Sequence, residues 1–414
     1  MKKKILIVGG GFAGIQLTRR LDDNLFDILL VDKINHHQFQ PLFYQVATSQ
    51  LEPSSISFPL RHIFRKKKNV QIRLGELIRV DMANKKAHFD IGIFDYDSLV
   101  LAMGCKTNFF GNKNIEKHAL TLKTTYDAIS MRNHLMQTFE NFLSANEDKK
   151  EGLLNLVIVG AGPTGVEMAG ALAEIKENVL PYDFHRIDFS NLRIILIEGS
   201  KHTLNSMSNS ARTTSEKSLK DMGIEVMTET LVKDYDGENL VLNNGESIRT
   251  KTVIWAAGIT ANKVEGIPEQ SIVMSNRLKV NRTNKVEETK NIYALGDIAF
   301  MQTPDYPDGH PQVANVAISQ ARLLAINLKN IQLNKKIKDY TYKDLGSMAT
   351  LARNKAVVDL PLIKFKGFFA WVVWMFLHLM LILSVRNKLI IFINWAWAYV
   401  TKDTALRLIL KDHK

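Results

Sequence analysis

Residues 5–14 read ILIVGGGFAG, and residues 156–165 read LVIVGAGPTG. Each phrase is a short apolar run, largely β-branched, that breaks into G-x-G-x-x-G and continues with helical periodicity. Such a run is the pattern of a buried parallel strand. In the first copy Gly9 permits the tight turn, Gly11 lets the backbone approach a pyrophosphate, and Gly14 lets strand and helix pack closely. Phe12 and Ala13 complete the turn. Free N–H groups and the helix dipole then face an anion. A second strand, FDILLVD, ends in Asp32, 18 residues past Gly14. A carboxylate there accepts hydrogen bonds from a ribose. In the second copy the strand Leu156–Val159 leads to Gly160, Gly162 and Gly165, a helix from Val166 to Lys176, and a strand, LRIILIE, ending in Glu198. The longer gap before Glu198 is filled by an insertion, LPYDFHRIDFSN. Two such units mean two dinucleotides, or one dinucleotide and a flavin. Glu198 favours NADH over NADPH, because a carboxylate repels a 2′-phosphate.

Three weaker glycine marks follow the same frame. YDSLVLAMG (96–104) and KTVIWAAGI (251–259, with Gly258) are strands running into small-residue turns, and NIYALGDIA (291–299) runs into Gly296 and Asp297. In this order they resemble the two-dinucleotide-binding-domain flavoproteins. The resemblance implies an α/β fold of two Rossmann-like domains, the second inserted in the first: an FAD-binding domain over 1–120 and 290–345, and an NADH-binding domain over 150–288. Residues 346–414 are expected to be a C-terminal membrane-associated region, with an apolar helical extension that anchors the chain to a membrane.

Composition narrows the acceptor. The chain has one cysteine, Cys105, which removes disulfide-exchange pairs and cysteine metal clusters. No metal site is expected. The net charge is +12. Residues 361–414 hold eight Lys/Arg against two Asp/Glu, so +6, half the excess in about an eighth of the chain. A nucleic-acid-binding surface would not concentrate charge in this way; an anionic membrane surface suits it. FFAWVVWMFLHLMLILSV (368–385) is an 18-residue apolar run, and LIIFINWAWAYV (389–400) a shorter one. Eighteen residues is the borderline for spanning the ~30 Å hydrocarbon layer, so spanning and lying in one leaflet are both open. A buried hairpin or a homodimer interface is the alternative. The first lysines are not followed by a signal-peptide core, so the chain is expected on the cytoplasmic face of the cell membrane.

A closer resemblance covers nearly the whole length. The chain is similar to the bacterial type II NADH:quinone oxidoreductases, single-subunit respiratory dehydrogenases that pump no protons. FQPLFYQVAT and VGAGPTGVEMAGALAE carry it most specifically, with YALGDIA, GHPQVANVAISQA and GSMATLARNKAVVDLP. The resemblance implies non-covalent FAD, NADH as substrate, a membrane quinone as acceptor, and contact with membrane lipid. It implies that Gly9, Gly11, Phe12, Ala13, Gly14, Asp32, Lys33, Leu77, Asp297, Ala314 and Asn315 bind FAD. Gly160, Gly162, Gly165, Glu198 and Gly258 would bind NADH. Glu167 takes the position of a glutamate set where NADH and flavin meet, in a catalytic role; otherwise it is an ordinary first-turn acid favoured by the helix dipole. Asn315, Ser319 and Gln320 fall on the quinone motif. There the chain departs from the family, with Asn315 and Ser319 where glutamines are usual, which puts quinone affinity or quinone type in doubt. Two other functions stay open: reduction of a soluble acceptor by an enzyme of the same fold, and a non-catalytic, membrane-tethered flavin- or NADH-binding module.

Overall fold

The computed structural model describes residues 1–185, 187–404 and 406–410. The chain forms two compact units. The first comprises Met1–Gln38, Phe58–Lys106 and Ile259–Asp344. Its centre is a five-stranded parallel sheet in the spatial order Ile292–Ala294, Ser98–Leu101, Lys3–Val8, Phe26–Asp32, Val70–Leu74. The inner strands are apolar on both faces because both faces are covered: Leu6, Val8, Leu99 and Leu101 pack in one cluster with Val80, Ala87 and Phe89. Ile5, Leu6, Ile7 and Val8 are all buried. The helices Phe12–Arg20 and Ala314–Gln332 pack on one another, so residues three hundred apart in sequence meet. A three-stranded antiparallel sheet, Leu77–Asp81, Lys86–Phe89 and Gly92–Asp95, lies in the same unit.

The second unit comprises Phe39–Ser57, Thr107–Gly258 and the chain from Leu345 onward. It repeats the design with four parallel strands in the order Ile224–Met227, Arg193–Ile197, Asn155–Val159, Thr252–Trp255. Helix Pro163–Asn178 follows the central strand. It packs on strand Ser347–Ala352, the first of an antiparallel three-stranded sheet completed by Lys355–Asp359 and Lys364–Lys366. Gly170 makes that approach possible: a Cβ there would stand 1.8 Å from the Leu351 carbonyl oxygen.

The apolar run 368–385 is not one helix. Helix Phe368–Leu381 ends, Ile382 is extended, and helix Val385–Thr401 begins after Ser384. The break has a tertiary cause. Asn387, 6% exposed, donates to the carbonyls of Ser54 and Ser55 at 3.0 and 2.8 Å, which fixes the start of the second helix against residues 53–55. Among the described residues no helix is long and apolar enough to cross a membrane. Each helix instead buries a narrow stripe, Ala370 and Trp374 on one and Ile391 and Trp395 on the other. The opposite side is bare: Phe369, Phe376, Phe392, Ile393, Trp397 and Val400 are 55–81% exposed.

Candidate functional site

The two glycine turns have the same construction. Gly9 and Gly160 adopt φ +107° and +102°, values that L side chains rarely adopt. A Cβ on Gly14 would fall 1.9 Å from the Gly9 carbonyl oxygen, and one on Gly165 1.8 Å from that of Gly160. At Gly11 and Gly162 a Cβ would meet nothing within 4 Å. Both are helix N-caps with no side-chain cap, so no capping side chain stands between the first turn and an incoming anion. This is the space and the donor set that a dinucleotide pyrophosphate requires.

The acid ending each second strand closes its own turn. The Gly10 N–H donates to Asp32 Oδ2, and the Ile34 N–H to Oδ1 at 2.9 Å. The Ala161 N–H donates to Glu198 Oε2 at 2.6 Å, and the Ser200 N–H to Oε1 at 2.8 Å. Burial pushes the Asp32 carboxyl up, against the backbone bonds that pull it down. Ala13 is buried, Phe12 sets its ring edge-on to buried His37 at 5.0 Å, and Lys33 pairs with Glu76 at the surface. Leu77, partly buried, opens its strand and packs on the core of the first unit. Gly258, at φ +81°, faces the Phe110 ring.

The turn Gly296–Ile298 presents Asp297, whose Oδ2 accepts from the Cys105 thiol at 3.1 Å. Gln320 lies behind this turn, 1% exposed, its Oε1 accepting the Gly296 N–H at 2.8 Å. Ala314 and Asn315 form the uncapped first turn of their helix. Ser319 shares a face with Asn315: its hydroxyl bonds the Asn315 carbonyl and the Tyr340 hydroxyl, both at 2.7 Å. Asn315 itself is half-buried, and its side chain reaches the Lys343 carbonyl only at 3.5 Å.

Glu167 belongs to the second unit and lines a cavity of about 80 Å³. Helix Pro163–Asn178 supplies Glu167, Ala171, Glu174 and Asn178 to its wall, a spacing of 4, 3 and 4 that keeps one face turned inward. Tyr44 and Gln45 come from helix Phe43–Ala47, Thr350 and Arg353 from the packed strand and its turn, and Trp371, Trp374 and Trp395 from the two apolar helices. Gln45 joins these groups: its amide donates to the Tyr44 hydroxyl at 2.9 Å and accepts the Trp395 indole N–H at 2.8 Å. The Thr350 N–H reaches Glu167 Oε1 at 3.3 Å. Trp374 offers its indole N–H outside hydrogen-bond geometry and opposes the burial only weakly. Desolvation therefore dominates and pushes the Glu167 carboxyl up to about 8. At neutral pH this group keeps its proton, in a space walled by three tryptophans and lined also by Gln45, Glu174, Thr350 and Arg353. Among the described residues no cluster suits a metal ion.

Sequence reasoning singled out Glu167 but missed Glu174, Tyr44, Thr350 and Arg353 beside it. The seven-residue interval between the two glutamates was the available signal.

The profile of the pyridine nucleotide-disulphide oxidoreductase family matches residues 3–321, and that of the NDH2 C-terminal domain residues 345–402. The type II NADH:quinone oxidoreductase Ndh of Mycobacterium tuberculosis is 30% identical, over 97% of this chain and 89% of that protein. NdhA of the same organism is 32% identical, over 96% and 87%. The structure of NDH2 from Plasmodium falciparum in complex with NADH shares the fold, with a TM-score of 0.91 at 22% identity, over 99% of this chain and 100% of that one.

Proposed function

Because the chain belongs to the type II NADH:quinone oxidoreductase family, whose members use FAD and NADH, we propose that it oxidises NADH through a non-covalent flavin and reduces a lipid quinone at a membrane surface, without moving protons across it. The Glu167 cavity supports the acceptor half of this reading most directly. It joins a carboxyl that holds its proton at neutral pH to a flat aromatic wall, and its outer wall is built from helices with bare apolar sides.

The first unit's turn at Gly9–Gly14 would hold the FAD pyrophosphate on the N–H groups of the helix's first turn, Asp32 would take the adenosine ribose, and Asp297 a hydroxyl of the ribityl chain. Leu77 and the backbone of Ala314 and Asn315 complete this side, and Lys33 borders the ribose. The flavin, when bound, supplies a two-electron carrier between a hydride donor and a quinone. In the second unit Gly160, Gly162 and Gly165 receive the NADH pyrophosphate, Gly258 turns the chain beside it at a positive φ, and Glu198 reads the ribose. Glu167 hands a proton to the quinone oxygen. Asn315 and Ser319 act from the helix that carries the flavin contacts, and Gln320 steadies the Asp297 turn from behind. Asn315→Gln is accordingly expected to alter quinone KM several-fold, the scale of one hydrogen bond.

The deciding measurement is stopped-flow absorbance. NADH should bleach the flavin, and a short-chain quinone should restore its colour, while cytochrome c and oxygen restore it far more slowly. Reoxidation by a soluble protein acceptor in preference to quinone would reverse the assignment.

Two further outcomes follow from the geometry. Glu198→Gln removes the charge and keeps an oxygen for the Ala161 N–H, giving up only the acceptor for the Ser200 N–H, so NADPH discrimination should fall about tenfold while NADH kcat/KM stays within a few-fold; a tenfold change is about 1.4 kcal/mol. A wild type that uses both nucleotides equally would remove Glu198 from the ribose. Replacing Phe369, Phe376, Phe392 and Val400 with serine should abolish sedimentation with anionic vesicles and leave NADH bleaching intact, since each of those residues is more than half exposed. Unchanged sedimentation would place the membrane contact elsewhere.

A further inference from the structure

Quinone reduction takes two electrons and two protons. NADH brings both electrons and one proton as hydride, so the sum is NADH + H⁺ + quinone → NAD⁺ + quinol. One proton per turnover must come from water. Glu167 is the group placed to give it, yet at 9% exposure its side chain has almost no contact with bulk solvent.

The same helix face carries a second carboxyl. Glu174 lies seven residues on, roughly 10 Å along the axis, and both glutamates line the one cavity. The packed strand treats them alike: the Thr350 N–H donates to Glu167, and the Arg353 N–H to Glu174 Oε1 at 2.5 Å. Their surroundings differ. Glu167 is buried and shares the cavity wall with Trp374, which is 1% exposed. Glu174 keeps part of its surface in solvent, at the end where Tyr399 and Lys402 are exposed. The Tyr44 phenol, fully enclosed, feels both carboxyls. A cavity of about 80 Å³ exceeds the ~10–15 Å³ that one ordered water needs, so water and the phenol can complete a chain of hydrogen bonds.

We propose that Glu174 is the outer member of a two-carboxyl proton path, taking a proton from water at the Arg353–Lys402 rim and passing it by way of the Tyr44 hydroxyl and cavity water to Glu167. The proposal rests on the cavity being the quinone site. Each transfer moves one proton from a carboxyl or hydroxyl oxygen to the next, with no net change in the path after a turnover. The groups that act on Glu174 suit it to the task. Burial raises its pKa, and the Arg353 backbone N–H, the Arg353 guanidinium and Lys355 lower it, while Glu177 on its own helix raises it. Arg353 is itself held, donating to the Ala398 carbonyl at 2.9 Å. From the facing helices come Tyr44 and Gln45 on one side, Tyr399 and Lys402 on another, and Trp374, on whose ring His378 stacks at 4.0 Å.

The test is Glu174→Gln in the FAD-loaded protein. Glutamine still accepts the Arg353 N–H, so a purely structural role predicts wild-type behaviour. The proposal predicts NADH bleaching within about twofold of wild type. It predicts reoxidation by a short-chain quinone slowed about tenfold at pH 8, converging on wild type toward pH 6, and restored at pH 8 by added imidazole or another small acid. Glu174→Asp should fall between the two, and Tyr44→Phe should slow the same phase. A Glu174→Gln protein with wild-type reoxidation across this range overturns the path and leaves the quinone assignment standing. A wild type that quinone does not reoxidise overturns both.

Discussion

Glu167→Gln should slow quinone-driven reoxidation of the flavin by at least about a hundredfold and, in the same protein, raise resistance to unfolding at pH 8. The first effect is the scale of losing a positioned general acid. The second comes from linkage. The Glu167 carboxyl is raised to about 8 in the folded chain, from an ordinary value of 4.5. The folded state therefore holds a proton that the unfolded chain gives up sooner. The stability attached to that proton is complete below pH 4.5, declines between 4.5 and 8, and is gone above 8. Three to four units correspond to an upper bound of about 4–5 kcal/mol. Glutamine does not titrate, so the variant loses this decline. Urea unfolding at pH 5 and pH 8 measures it: the gap between the two midpoints should shrink in the variant. A gap of equal size in both proteins would mean that Glu167 is ionised at neutral pH and cannot be the proton donor.

Gly170→Ala should be nearly as damaging, with a sign opposite to the usual one. In an exposed helix interior the change stabilises by about 1 kcal/mol. Here the new methyl would sit 1.8 Å from the Leu351 carbonyl oxygen, a backbone atom that cannot turn aside. Strand Ser347–Ala352 must retreat, and with it go the N–H groups of Thr350 and Arg353 that hold the two glutamates. Overpacking of this kind costs about 1–3 kcal/mol, or several degrees in Tm. Quinone turnover should fall further than stability alone explains. Gly152→Ala is the control: it lies on helix Glu147–Leu154, and its nearest neighbour would be Arg249 Cγ at 3.5 Å. A Gly170→Ala melt no lower than that of Gly152→Ala would refute the close approach.

The parts of the molecule that could be read from sequence are those set by neighbours along the chain. The steric demands at Gly9 and Gly14, and again at Gly160 and Gly165, are local, and the strands that precede them follow from hydropathy alone. The break after Leu381 is different. Hydropathy runs unbroken through residues 368–385, and the interruption is imposed by Asn387 reaching carbonyls more than three hundred residues away. Gln320 shows the same limit. A polar side chain in a motif invites a ligand, yet its amide oxygen meets the Gly296 N–H, an orphan donor created by a distant turn. Glu174 was visible as the helical partner of Glu167. Its significance was not, because the strand that binds both lies almost two hundred residues downstream.

The closure of each glycine turn by the acid at the end of the following strand has a bearing on descent. An acid that braces its turn and, in the function proposed above, also meets the sugar carries two duties that cannot drift apart one substitution at a time. A lineage moving from NADH to NADPH through a basic residue at position 198 would lose the acceptor for the Ala161 N–H in the same step. Order then matters: another acceptor for that donor has to appear first, as a neutral change, before the charge can reverse. The FAD side carries the same constraint through Asp32 and the Gly10 N–H, and there no rival cofactor rewards the detour. Epistasis of this kind predicts that variants at 198 bearing lysine or arginine carry accompanying changes in the Gly160–Gly165 turn, and that position 32 stays acidic across wide divergence.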